Sequence, residues 1–281
     1  MTENDDPAQF NAVVALTKRE LLRFLRQRTR VIGAVGQPII FWILFGAGLR
    51  TSFKPPSWAD GLSHTVSYQE YFLPGVAALI VLFTAIFSTI SIIEDRREGF
   101  LQGILVAPVS RLSIVLSKLA AGTFLAILQA GLFLLIGPLI SMLGLGSPIE
   151  ATWSVSRMLM ATGFLVLIAA ELTALGFSIA WPMNSTQGYH AVMSIFLMPM
   201  WLVSGAFFPG GDSGWLFWVI RLNPLTYGVA GLRRLLYATA LPVTAELPSM
   251  LACVSVTCIA TVTLTLLSAW LVSRQSVHNT A

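Results

Sequence analysis

Five stretches of this chain contain no Asp, Glu, Lys or Arg: residues 31–49, 71–93, 119–149, 172–211 and 247–273. An α-helix of about 20 apolar residues crosses the hydrocarbon of a bilayer. It also satisfies its own backbone hydrogen bonds, which lipid cannot do. Every window but the first has ample length, and two are long enough to consider splitting. A soluble fold fails on composition, because charged residues make up 11% of the chain and apolar ones 56%. Soluble proteins carry roughly 25% charge, and a domain this poor in charge cannot wet its own surface. The expected fold is therefore an all-α integral membrane protein.

Six spans are expected, at about residues 32–49, 72–93, 112–136, 158–180, 191–208 and 249–273. Pro74 falls in the first turn of the second window, where its missing N–H costs little, and Gly137-Pro138 should end the third. Residues 1–30 form a separate unit ahead of the six-span domain, 31–281. On a helical wheel Phe10, Val13, Val14, Thr17, Leu21, Phe24 and Leu25 share an arc of about 120°, opposite Arg19, Arg23, Arg26 and Arg30, with Lys18 beside them. That pattern predicts an amphipathic helix lying at the interface of an anionic leaflet. Between spans five and six, residues 214–222 are too short to cross, Asn223-Pro224 interrupts, and the following residues carry Arg233 and Arg234. Two short helices forming a re-entrant hairpin are expected there, with a single amphipathic surface helix as the alternative.

Lys and Arg counts orient the bundle. The side shared by both termini holds eleven (Lys18, Arg19, Arg23, Arg26, Arg28, Arg30, Arg96, Arg97, Arg111, Lys118 and Arg274), and the other side six. Both termini are expected to be cytoplasmic, in a bacterial-type inner membrane. Three arginines in the 209–248 segment run against the rule. The net charge of +4 fits this topology better than nucleic acid, since the basic residues flank apolar spans. The acidic first residues are not followed by a cleavable signal peptide, so the first span is the expected insertion signal.

Several chemistries are excluded. None of the three lysines follows a glycine, so there is no P-loop. The three histidines lie far apart, with no HExxH and no nucleophile elbow. Cys253 and Cys258 lie about 140° apart on one helix and suit neither a disulfide nor a metal site. No catalysis is expected of this chain. An ion-coupled carrier needs ionisable groups inside its spans, and only Glu171 stands well inside one. It is a candidate intramembrane polar site, or a buried hydrogen-bonded carboxyl at a helix contact. Gly122, Ala126 and Ala130 form a small-residue stripe in span three, suited to close packing within the chain or to a dimer seam.

The segment after span two is the most informative. Glu94-Asp95-Arg96-Arg97-Glu98 carries five consecutive charges, followed by Gly99 and a short helix candidate at 101–111 with Pro108. Such a run is often only a solvated face. Here Phe100, Leu101, Ile104 and Leu105 would offer an apolar contact to a partner, with the charges as its polar rim. Downstream come Leu105-Val106-Ala107-Pro108-Val109-Ser110-Arg111, then Ser204-Gly205-Ala206-Phe207-Phe208-Pro209, then Asn223-Pro224-Leu225-Thr226-Tyr227 and Arg233. In this order and spacing, over essentially the whole chain, they resemble the permease subunits of ABC-2-type exporters. That family includes drug-resistance permeases of the daunorubicin type and exporters of polysaccharides and lipo-oligosaccharides.

The resemblance implies six spans, an N-terminal interfacial helix, a coupling helix between spans two and three, and re-entrant helices before span six. It implies a separate nucleotide-binding ATPase subunit carrying ATP and magnesium, with no cofactor in this chain. It also implies a second permease, a copy or a sister chain, in the working complex. By position, the coupling element would be Glu94, Asp95, Arg96, Arg97, Glu98, Gly99, Phe100, Ile104 and Pro108. Lys18, Arg19, Arg23, Arg26 and Arg30 would lie near the ATPase, and Asn223, Pro224, Tyr227 and Arg233 would belong to the re-entrant motif. Glu171 matches no motif of the family. Few polar groups line the spans, so an amphipathic, drug-like or lipid-like cargo is favoured over a free sugar or ion. The aromatics near Trp201, Trp215 and Trp218 are read as an interface belt. Two other readings stay open: an ion-coupled carrier built on Glu171, and a membrane assembly factor that transports nothing.

Overall fold

The computed structural model of the chain describes residues 6–61, 65–140, 143, 149, 154–208, 214–237, 241 and 246–278. The acidic residues 1–5, Pro209 of the late motif and parts of the 209–248 segment lie outside them. Ten α-helices follow one another among the described residues: α1 (Asp6–Arg26), α2 (Arg28–Gly48), α3 (Tyr68–Arg97), α4 (Phe100–Val106), α5 (Arg111–Ile140), α6 (Val155–Ala180), α7 (Thr186–Trp201), α8 (Gly214–Leu222), α9 (Pro224–Leu236) and α10 (Met250–His278). No strand occurs among the described residues. Six helical segments are long and apolar enough to cross a bilayer: Arg28–Gly48, Tyr68–Arg97, Arg111–Ile140, Val155–Ala180, Thr186–Ala206 and Met250–Arg274. The protein is an all-helical, multi-pass membrane protein.

The helices outrun their apolar windows because polar residues cap them beyond the hydrocarbon. Ser67 caps α3 by accepting from Glu70 N, and Ser154 and Ser185 do the same for α6 and α7. The Ser67 cap starts α3 four residues before its apolar window, so Pro74 lies in the second turn rather than the first. A proline there removes the donor for the carbonyl four residues back, which is Glu70 O. Tyr237 supplies the replacement by donating its phenol hydrogen to Glu70 O. Pro138 does not end α5, which runs on to Ile140. At Gln27 the backbone leaves the helical region (φ −90°, ψ 74°). The amphipathic helix therefore stops at Arg26, and Arg30 stands in the first turn of α2.

α3 forms the axis of the bundle and is the most deeply buried of the spans among the described residues. Its first turns are gripped from several sides, with Trp42 Nε1 donating to Gln69 O at 2.9 Å and Trp201 Nε1 to Gly75 O at 2.8 Å. Trp201 is thus a core residue rather than part of an interface belt, whereas Trp215 and Trp218 on α8 are exposed. A Cβ on Gly75 would lie 2.7 Å from Ala206 Cβ and 2.8 Å from its Cα. α3 meets α7 there, where the chain leaves the α-helix through a π turn, Leu202–Ala206, with Gly205 at φ 73°. The Gly122 stripe is spent inside the chain: a Cβ on Gly122 would meet Thr173 of α6 at 2.5 Å, and Ala126 and Ala130 are fully buried.

α10 runs parallel to α6. Thr261 Oγ1 donates to Leu167 O at 3.3 Å, and seven residues further along both helices Ser268 Oγ donates to Ala174 O at 3.2 Å. The bundle has two distinct ends. One gathers α1, α4, the end of α3 and the starts of α5 and α7; the other gathers the turn Ser57–Gly61, the start of α3, the π turn, α8 and α9.

Candidate coupling site

The charges that the sequence concentrates after span two lie in the last turn of α3. Carboxylates are poorly placed there, because a helix C-terminus carries partial negative charge. Cations are needed to hold them. Asp95, with 0% of its surface exposed, receives three: Arg19 Nη2 at 2.8 Å, Arg23 Nη1 at 2.5 Å and Lys118 Nζ at 2.5 Å. Arg23 also reaches Glu94 at 3.1 Å and Glu98 at 2.8 Å, and Arg30 pairs with Glu94. Glu20 of α1 closes the circuit, accepting from Arg19 at 2.7 Å and lying 2.9 Å from Lys118. Four carboxylates face four cations, so the cluster is electroneutral while joining α1, α2, α3 and α5. Burial opposes charge on Arg19, but Asp95 and Glu20 outweigh it and raise its pKa above the ordinary value.

One residue per 100° of helix divides the five-charge run between two tasks. Glu94, Asp95 and Glu98 turn to α1, whereas Arg96 and Arg97 point to the link between α6 and α7. Arg96 donates to Met183 O at 2.7 Å, to Asn184 Oδ1 at 3.0 Å and to Trp181 O, and its guanidinium lies over the Trp181 ring. Arg97 Nε donates to Asn184 O at 3.2 Å.

The loop to α5 is tied down from α1 as well. Gln9 Oε1 accepts from Ser110 N at 2.8 Å and from Ser113 Oγ at 3.2 Å. Phe100 lies beneath the Arg19 guanidinium, 3.5 Å from the ring centroid. Gly99 turns the chain into α4 at φ 77°, a conformation that glycine adopts without strain. Leu101 faces inward, and Ile104 is half-buried. The open face of α4 is made by Gln102, Gly103 and Val106, the last 87% exposed, with Pro108 beyond and Arg97 and Glu98 alongside. Phe100 and Leu101 are thus held within the chain, and the outward surface consists of their neighbours.

The wheel of α1 is also divided. Glu20 and Phe24 are buried, and Thr17 Oγ1 donates to Ser117 O of α5 at 3.3 Å. Phe10, Val14, Leu22 and Leu25 remain exposed, as do Lys18 and Arg26. Arg19, Arg23 and Arg30 are committed to the chain's own carboxylates rather than offered to an anionic leaflet. The sequence reading missed Glu20, Lys118 and Gln9. Lys118 carried a signal, since a lysine at the edge of an apolar span demands a partner.

At the opposite end the late motif residues are structural ties. Asn223 caps α9, accepting from Leu225 N at 3.0 Å, and its Nδ2 donates to Met200 O at 2.6 Å; Pro224 follows as the first helical residue. Tyr227 donates to Arg221 O at 3.1 Å. Arg233, 3% exposed, donates to Tyr71 O at 3.2 Å and Gly205 O at 3.1 Å, beneath the rings of Tyr71 and Trp58. It joins α9, the π turn and the start of α3. Lysine has neither the fork nor the planar stacking surface for these contacts. Arg233→Lys is expected to cost about 2 kcal/mol, the size of one hydrogen bond from a charged group. Thermal unfolding in detergent should show a lowered midpoint, with the exposed Arg221→Lys unchanged.

Glu171 stands 1% exposed on α6, between positions that face α10 and positions that face α9. Its Oε2 has no hydrogen-bond partner among the described residues. The described residues include no group of three His, Cys, Asp or Glu side chains able to hold a metal.

Five apolar helices around a sixth, buried one, with a charge-clamped platform at one end, suit a membrane transport permease. The chain belongs to the ABC-2 type transporter family, whose model matches residues 11–237. Among its relatives, a transport permease named ycf38 from Cyanophora paradoxa is 28% identical over 220 residues, covering 78% of this chain and 71% of that protein. Its namesake from Porphyra purpurea is 26% identical over 223 residues, covering 79% and 72%. The daunorubicin resistance ABC transporter permease DrrB1 of Streptomyces coeruleorubidus is 22% identical over 253 residues, covering 85% and 81%.

Proposed function

We propose that this chain is the membrane-spanning subunit of an ATP-driven exporter in a bacterial-type inner membrane, with both termini cytoplasmic. It works as a pair, with a second copy or a sister permease. ATP and magnesium bind a separate ABC ATPase that docks on the α1 and α4 end. The observation that carries the reading is the open face of α4, Gln102, Gly103 and Val106, presented on a platform clamped to four other helices. A push on that face reaches α3 and α5 through the Asp95 cluster, and the α6–α7 link through Arg96. α7 carries the movement to Pro199 and the π turn, where a missing backbone hydrogen bond makes the helix easiest to bend. The apolar character of the spans favours an amphipathic, drug-like or lipid-like cargo over a free sugar or ion.

Arg96 is an internal staple, so reversing its charge would unclip the α6–α7 link as well as disturb a partner. The discriminating variant is Gln102→Glu with Val106→Asp, which changes only exposed side chains on the open face of α4. Wild-type protein purified in mild detergent is expected to carry a stoichiometric P-loop ATPase, and the double variant to lose most of it with its thermal midpoint unchanged. Full retention would rule out this face of α4 as the dock. Intact wild-type protein with no ATPase would shift the reading to a carrier using Glu171 or to an assembly factor.

A further inference from the structure

Where α1 gives way to α2, a small cavity of about 10 Å³ lies between these two helices, α3 and α5. Glu20, Arg23, Gln27, Arg30, Ser88 and Lys118 give it polar walls. A cavity of roughly 10–15 Å³ holds one water molecule, provided that a few polar groups face it. Gln27 Oε1 is buried and accepts no hydrogen bond among the described residues, and a buried acceptor left unpaired is costly. Lys118 Nζ cannot serve it, since its three protons go to Asp95 at 2.5 Å, to Glu20 at 2.9 Å and to Ser91 at 2.9 Å. Ser88 Oγ donates to Ala85 O at 2.9 Å, which leaves its lone pairs free among the described residues. The walls also select the occupant. Arg23, Arg30 and Lys118 repel a metal cation. Chloride is larger than water and takes only donors, whereas Gln27 Oε1, Ser88 Oγ and the Glu20 carboxylate are acceptors. A water molecule donates two hydrogens and accepts others.

We infer that this cavity binds one ordered water molecule, which donates to Gln27 Oε1 and Ser88 Oγ and accepts from a guanidinium of the wall. The water ties the corner at Gln27, where the backbone leaves the helical region, to α3. It thereby adds to the Asp95 cluster a link between α2 and the middle of α3 that the side chains do not make by themselves. The inference rests on the packing of these four helices and holds whatever the chain transports.

The test joins radiolytic footprinting with thermal unfolding of the purified protein. Brief X-ray irradiation splits bound water into hydroxyl radicals, which oxidise the nearest side chains. Phe24, in the cavity wall, and Phe164 are equally buried, at 4% exposure each. In the wild type Phe24 is expected to be oxidised several-fold faster than Phe164. Gln27→Met keeps the length of the side chain without a comparable acceptor. It should bring Phe24 down to the rate of Phe164 and lower the thermal midpoint by about 2–4 °C, the scale of one hydrogen bond. Ser88→Ala should do the same, and the double variant should lose no more than the larger single loss, because both act through one water. An unchanged or raised midpoint in Gln27→Met would mean that its acceptor had no partner to lose, and would overturn the site. Equal oxidation of Phe24 and Phe164 in the wild type would overturn it too. A midpoint that falls when chloride is replaced by gluconate would assign the cavity to chloride instead.

Discussion

Asp95→Ala is expected to cost about 3–5 kcal/mol, the penalty for removing one side of a buried ion pair. Asp95 is the only carboxylate in the cluster that touches Arg19, Arg23 and Lys118 together. Without it, four cations face three carboxylates, and Lys118, itself buried, keeps only Glu20 and the Ser91 hydroxyl, at 2.9 Å each. Thermal unfolding in detergent should show a midpoint lower by on the order of 10 °C, at about 2–4 °C per kcal/mol. Asp95→Ala with Lys118→Met restores neutrality and should recover more than half of the loss, a coupling that a double-mutant cycle measures directly. Additive losses would mean that the two charges do not interact, and the clamp would have to be ascribed to Arg23 with Glu94 and Glu98. The exposed pair of Arg23 with Glu98 is a poor substitute, because ion pairs in contact with water contribute only about 0–1 kcal/mol.

Gly75→Val should be comparably damaging for a different reason. Its first carbon would stand 2.7 to 2.8 Å from the Cβ, Cα and carbonyl oxygen of Ala206. Those atoms belong to the π turn and cannot rotate away as a side-chain tip would. Overpacking of this kind costs about 1–3 kcal/mol and occasionally more. Here it also pulls Trp201 Nε1 from Gly75 O. Even Gly75→Ala is expected to lower the midpoint. Gly131→Ala is the control: it meets nothing within 4 Å and removes a helical glycine, so it should be neutral or stabilise by up to about 1 kcal/mol. Equal behaviour of the two alanine variants would show that α3 and the π turn do not approach as closely as this.

The number of spans was legible because a bilayer imposes a local rule. Long stretches without charge had to become helices, the one at 172–211 shared between the end of α6 and α7, and the six segments of the structure overlie the six expected spans. The boundaries were less legible, since caps set them. Ser67 lengthens α3 at its start, and Gln27 divides what the wheel joined. Pro138 carried too much weight as a stop, because a proline in the last turn of a helix breaks few hydrogen bonds.

The meaning of the charges was harder to read. A helical wheel shows that Arg19, Arg23 and Arg30 share one side of a helix, but not what that side meets. The sequence offered both an anionic leaflet and a partner protein. The structure places the chain's own carboxylates there: Asp95 against Arg19 and Arg23, 76 residues from Arg19, and Glu94 against Arg30. Likewise, Glu94–Glu98 reads as one charged patch along the chain, yet α3 sends its carboxylates and its arginines to different neighbours.

Sequence alone determined that this protein has six segments apolar enough to cross a membrane as helices, with a basic helix before the first and a charged link after the second. Those properties rest on segments of about 20 residues, each answering to lipid or water by itself. Tertiary structure decided which charges are spent inside the chain, which face of α4 is left open, and that Trp201 belongs to the core. Such outcomes depend on helices far apart in the chain meeting at one level of the bundle, and close packing rather than local pattern settles that.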